Sequence, residues 1–317
     1  MIKMIQVVWR RYIMKKLIKF DIQYFLISKS VVLLLFVFGA FSFLINLFNY
    51  QYSFQLINLF NRNCSYYESI GEDVTNSLQQ PYVLHDNDTI ENPLSFYNSQ
   101  IEKVLPTISL KNAPSTFLEG CTLFLPIFIV MICSIIVSYD EKNMTKRLKI
   151  VRNGKLKFLI SKHISGLILI FFLMIFSFLI FCLLEYIFEV RLTKDFDLSQ
   201  YSIKSETVHV LFKQLLYTII SAIVYFELFY TLCNIFHSYT IVTMAVCLVS
   251  LFVPPLFKYD LINIKCVFEN KFFKFNGAIH SNTPIIASTK FLIIEIFCII
   301  ILSVMINHTV FKKRSSF

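Results

Sequence analysis

Glycine and proline are scarce in this chain, six and eight among 317 residues, tryptophan occurs once, and only 16% of positions are charged. The glycines stand singly at 39, 71, 120, 154, 166 and 277, so no phosphate-cradling loop of the Walker type can be assembled. Nucleotide hydrolysis by this chain alone is therefore not expected. The HExxH and GxSxG signatures are also missing, so neither a metalloprotease nor a serine hydrolase is expected. No CxxC or Cys/His cluster offers metal ligands, and no cofactor is expected on this chain. No basic segment carries aromatic stacking or groove-reading residues, so nucleic acid is not an expected partner.

What the chain has in abundance is apolar side chain. Hydrophobic residues make up 56%, Phe alone accounts for 35 positions, and mean hydropathy is +0.64. Soluble domains average about 45–50% apolar and about 25% charged residues, so a soluble fold is excluded and the bilayer is the expected solvent.

Six runs are long enough to cross a hydrocarbon layer of about 30 Å at 1.5 Å per helical residue. They cover 30–49, 119–138, 163–188, 209–233, 239–257 and 291–311. The expected fold is an all-α polytopic membrane protein. Residues 1–29 form an interfacial helix, with Trp9, Tyr12, Phe20 and Tyr24 at headgroup depth. A long charged segment precedes the first run and no small-residue cleavage site follows it, so that run reads as a retained anchor.

Orientation follows from Lys and Arg. Seven lie in 1–29, eight in 139–162 and three after 311, whereas 50–118, 189–208 and 258–289 hold three, three and four over many more residues. Both termini are thus expected in the cytoplasm. The 50–118 stretch reads as a small extracellular region with seven acids. Two capping boxes, Thr116 to Glu119 and Ser138 to Glu141, are expected to start helices. Pro254-Pro255 ends the fifth span, and 258–290 reads as an outer re-entrant or interfacial segment. Cys64 and Cys266 are the two cysteines expected outside, and sequence leaves open whether they are bonded.

Ionisable residues inside spans are costly and raise functional questions. Glu185 and Lys213 lie at equal predicted depth and could pair. Glu227 lies deeper without an evident partner, and Glu295 comes early in the sixth span.

Within 139–162, Met144, Leu148 and Val151 recur at i, i+4 and i+7, with Glu141, Lys146, Arg147 and Arg152 on other faces and Gly154 as the stop. With six spans, cytoplasmic ends and the Tyr139–Gly154 stretch of acidic start, basic middle and glycine end, the chain resembles the membrane subunit of ABC transporters of the bacterial type-2 exporter class. The resemblance implies a coupling helix carrying Glu141, Met144, Arg147, Leu148, Val151 and Arg152. It also implies a separate ATP-binding subunit holding ATP and magnesium, and a second permease copy or related permease in a dimer. The setting would be the bacterial cytoplasmic membrane, and the cargo a hydrophobic or amphipathic substrate such as a peptide or antimicrobial compound. The alternative expectation is a non-transporting sensor or immunity protein that binds an extracellular ligand through 50–118.

Overall fold

The computed structural model describes residues 15–26, 28–85, 89–142, 149–152, 154–236 and 239–314. Helix α1 covers 15–26 and is followed by α2 (Lys29–Ser69). A short α3 (Val74–Gln79), a two-stranded hairpin of β1 (Val83–Leu84) and β2 (Ile90–Glu91), and α4 (Pro93–Val104) come next. Two 3-10 turns then lead into α5 (Ala113–Lys142). After α6, of which 149–152 is described, come α7 (Lys155–Asp195), α8 (Val208–Phe236), α9 (Tyr239–Phe252), α10 (Leu261–Phe272) and α11 (Thr289–Arg314).

Five of these helices, α2, α5, α7, α8 and α11, are long and apolar enough to cross a membrane. The helix that carries the fifth predicted span is shorter than expected. α9 has 14 residues, about 21 Å at 1.5 Å per residue, against about 30 Å of hydrocarbon. Pro254-Pro255 removes the N–H groups that would extend it, and 253–260 leaves helical form.

The helices that carry the first and third predicted spans run past them, α2 and α7 reaching 41 residues each. Between Gly39 and Gly71 nothing breaks α2, and Tyr50, Ser53, Leu56, Ile57 and Phe60 continue a buried stripe at helical spacing. Gly71, at φ +77°, ends it by letting the Glu72 N–H reach back to Tyr67 O at 3.0 Å. Much of 50–118 is therefore helical. It encloses its own core of Tyr50, Phe60, Leu94, Ile101, Leu105 and Phe188.

Neither capping box starts a helix. Asn112, whose side chain binds Lys204 O and Glu206 N, leads straight into α5 at Ala113, and Thr116 donates to Asn112 O from inside the helix. Ser138 likewise donates to Ile135 O within α5, which continues to Lys142. The stretch expected to connect the coupling loop to the third span, 156–162, belongs to α7.

α5 is the centre of the main core, with 67% of its apolar window buried against 17% for α11. Leu125, Ile129, Ile132 and Ile136 of α5 meet Leu34 and Phe38 of α2, Leu173 of α7 and Phe226 of α8. α2 and α7 lie along each other, joined by Ser42 and Ser177 hydroxyls at 2.7 Å and by Asn46 donating to Phe181 O. Small polar residues let these helices approach closely where lipid supplies no hydrophobic drive. Phe36, Ile175, Leu179 and Phe297 point outward, the expected lining toward acyl chains.

Segment 258–290 is ordered. Asp260 caps α10, Asn263 ties it to Ile285, and Asn49 of α2 accepts from Ala278 N at 3.0 Å. Gly277 is required there, because a Cβ would lie 2.5 Å from Asn49 Oδ1.

Candidate functional site

The end of the bundle that carries the Lys-rich 139–162 stretch, here the basic end, holds a buried charge cluster. Asp21 of α1 is 2% exposed, and its Oδ1 accepts from Lys149 Nζ at 2.9 Å and Lys162 Nζ at 3.0 Å. Lys162, at 1% exposure, lies 5.5 Å from the Phe25 ring centre and 5.6 Å from that of Phe158. Lys149 stands 5.7 Å from the Phe20 ring. Removing such ions from water costs several kcal/mol each. Attraction at low dielectric, aromatic faces and charge-assisted hydrogen bonds offset that cost. One carboxylate thus fastens α1, α6 and the first turns of α7 together. Tyr24 and Tyr139, with ring centres 4.0 Å apart, add α5.

Of the residues expected to contact an ATPase, Met144, Arg147 and Leu148 lie outside the described residues, and Glu141 falls in the last turn of α5. Val151 is 86% exposed and Arg152 is exposed, while the neighbouring Ile150 packs on the core. Within the described part of α6, Ile150 faces inward and Val151 is presented outward. Gly154, at φ +82°, ends α6 as expected, its N–H bonding Ile150 O at 2.8 Å.

About two turns further into the bundle, Glu227 has a partner that sequence did not reveal. His163 Nε2 lies 3.1 Å from Glu227 Oε2, and His163 Nδ1 lies 2.9 Å from Leu159 O. A carbonyl can only accept, so Nδ1 carries a proton. The Nε2 to Oε2 contact then holds a second proton between two groups that would both be acceptors without it. The pair either is an imidazolium with a carboxylate or is neutral on both sides.

The expected Glu185–Lys213 pair does not form. α7 packs along α2 rather than α8, and Glu185 continues the stripe of Ser177 and Phe181. Its two carboxyl oxygens are fully buried and without a hydrogen-bond partner among the described residues. Lys213 stands exposed on α8, beside a cavity bounded by α10 and α11. The expected depth of the two residues did not contain which helices are neighbours. Glu295 is half-buried in the second turn of α11.

Sequence reasoning passed over Asp21, Lys162, His163, Lys265 and Glu269. One signal was available: Asp21 is the sole acid among residues 1–29, amid seven basic residues. All eight cysteines are free, Cys64 half-buried and Cys266 buried. Among the described residues no group of three or more His, Cys, Asp or Glu is placed to hold a metal ion.

The fold and these clusters define a class, a helical protein with, among the described residues, five helices long and apolar enough to cross a membrane. No protein-family model, curated protein or solved structure matches the chain.

Proposed function

We propose that the chain is the permease subunit of an ATP-driven exporter, worked by a separate ATPase through the 140–153 stretch. In this reading the basic end is cytoplasmic, α9 completes a sixth crossing with the extended residues that follow it, and two permeases form the conduit. The observation that carries the reading is the Asp21 cluster. Force applied to α6 passes through Lys149 to Asp21 and on to Lys162, and so reaches α1 and the third span together. An exposed Val151 beside it offers a contact for a partner groove. Cargo in this scheme is hydrophobic or amphipathic, in keeping with the apolar surfaces between the helices.

Leu148→Asp is the direct test. Co-purification of the variant with its ATPase should fail, or substrate-stimulated hydrolysis should vanish, while membrane abundance stays near normal. A stable, fully coupled complex carrying Leu148→Asp would overturn the proposal. A cysteine introduced at Ser95 should label from outside intact cells with an impermeant thiol reagent.

The second reading is a membrane sensor or immunity protein. What favours it is a cavity of about 360 Å³ in the 50–118 region and its surroundings, where Glu189 accepts from Ser109 Oγ and Leu110 N beside Leu105 and Phe196. Failure of any ATPase to associate would favour it.

A further inference from the structure

At the far end of the bundle, α5, α8, α9 and α10 enclose a cavity of about 340 Å³. That volume falls within the roughly 300–1,000 Å³ of small-molecule sites. Leu123, Phe124, Leu228, Val249 and Leu261 give it apolar walls. One wall is polar and buried. Glu269 of α10 is 1% exposed, its Oε2 accepts from Ser281 Oγ at 3.3 Å, and its Oε1 has no hydrogen-bond partner among the described residues.

The nearest cation spends one of its three N–H donors elsewhere. Lys265 Nζ donates to Leu123 O at 2.8 Å and stands 3.8 Å from Glu269 Oε1, close enough for charge attraction but too far for a hydrogen bond. His280, also lining the cavity, engages Phe275 O through Nδ1 at 3.0 Å, which leaves Nε2 of the neutral ring an acceptor. Among the described residues of this wall, the buried polar atom left unfilled is Glu269 Oε1, an acceptor, and an occupant that satisfies it must bring an N–H or O–H donor.

We propose that this cavity binds an amphipathic primary amine, its ammonium donating to Glu269 and its chain lying against the walls from α5, α8 and α9. A carboxylate or phosphate headgroup does not fit, because it would meet Glu269 with charge of the same sign. A quaternary ammonium brings charge without a donor and leaves Oε1 unsatisfied. The site stands independently of any coupling to an ATPase.

Full-length protein in lipid nanodiscs would be titrated with decylamine, decyltrimethylammonium, decanol and decanoate by calorimetry, subtracting the heats of empty discs. Decylamine should bind saturably at one per chain and more tightly than decanol, whose O–H donates without charge, and decyltrimethylammonium and decanoate should show partitioning alone. A charge-assisted hydrogen bond contributes about 1.5–3 kcal/mol, so Glu269→Gln should weaken decylamine about tenfold or more. Val249→Trp fills the cavity from α9 with Glu269 intact and should weaken it as well. That variant carries the test alone if Glu269→Gln does not fold. Equal behaviour of all four amphiphiles, or saturable decylamine binding unchanged in either folded variant, would overturn the assignment.

Discussion

The two ends of the bundle each bury an acid beside lysine, and they do so in opposite ways. At the basic end two ammonium groups converge on one oxygen of Asp21, at 2.9 and 3.0 Å. At the far end Lys265 turns to a backbone carbonyl and stays 3.8 Å from Glu269. The first arrangement fastens three helices through one oxygen of Asp21, whose Oδ2 is buried without a partner among the described residues; the second sets its unfilled acceptor on the wall of a cavity. A buried ion pair is therefore not one kind of feature. Its role follows from where the cation's hydrogen bonds are already spent.

The largest effect expected from this contrast is at Asp21. Asp21→Ala removes the carboxylate that Lys149 and Lys162 share, and breaking a buried pair costs about 3–5 kcal/mol. Thermal unfolding in detergent should show a steep loss, and a midpoint within a degree of wild type would mean that the cluster fastens nothing. Glu269→Gln should behave in the opposite sense. Burial pushes the Glu269 carboxyl up to about 7, despite Lys265 and Ser281. An acid whose folded pKa lies above its unfolded value loses stability as pH rises between the two, here from about 4.5 to about 7. Lys265 and Cys266 on α10, Tyr217 and Tyr225 on α8, and Ser281 and His280 on the following segment are the groups around it. At pH 8 the Gln variant should be no less stable than wild type, and the decline of wild-type stability from pH 5 to 8 should shrink in it.

Tightness at the basic end can be probed sterically. A Cβ on Gly166 would lie 2.5 Å from Phe226 Cζ and 3.0 Å from Ile136 Cδ1, and Phe226 is wholly buried. Gly166→Ala should cost about 1–3 kcal/mol by overpacking. Gly39→Ala, with its nearest atom at 3.4 Å, should be neutral or gain up to about 1 kcal/mol of helix propensity. Equal unfolding midpoints for the two variants would contradict the close approach of α7 to α8.

The far end has its own acid-sensitive element. Burial raises the Asp260 carboxyl, but N–H donors from Phe257, Asn263 and Leu256 outweigh it and hold the group below the usual carboxylate value of 3.8. Stability from such a group is present above its unfolded pKa and lost as pH falls through the lower folded one. Asp260→Ala should cost about 1 kcal/mol at pH 7, and the difference from wild type should shrink as pH falls below 3.8 in hydrogen exchange of α10. The smallest effect is a null. Glu185→Gln and Lys213→Met should be additive within about 0.5 kcal/mol, and a clear coupling energy would restore the pairing that the helix arrangement denies.

What sequence disclosed follows a physical line. Apolar runs located α8 and α11 closely, because a span's hydropathy is a local property. The continuation of α2 past residue 49 was hidden by Asn, Gln and Tyr. Those residues look polar in a window, yet they bury one face against α4 and α7. Both capping boxes misled because Thr116 and Ser138 satisfy a carbonyl three or four residues back instead of an open N-terminus. Charged residues were found individually and mispaired, since pairing depends on which helices are neighbours. Lys162 and His163, adjacent in sequence, serve separate clusters on Asp21 and Glu227.

The paired lengths of α2 and α7 carry a mechanical implication. At 41 residues each, these helices are about 60 Å long, twice the thickness of a bilayer interior. The outer half of α2 carries α4, and Phe188 and Leu192 of α7 join it in the second core, without an intervening hinge. A lever of about 30 Å tilted by 10° sweeps its tip through about 5 Å. Any rocking of these two helices within the membrane would therefore be displayed, amplified and undamped, at the surface that faces away from the basic end.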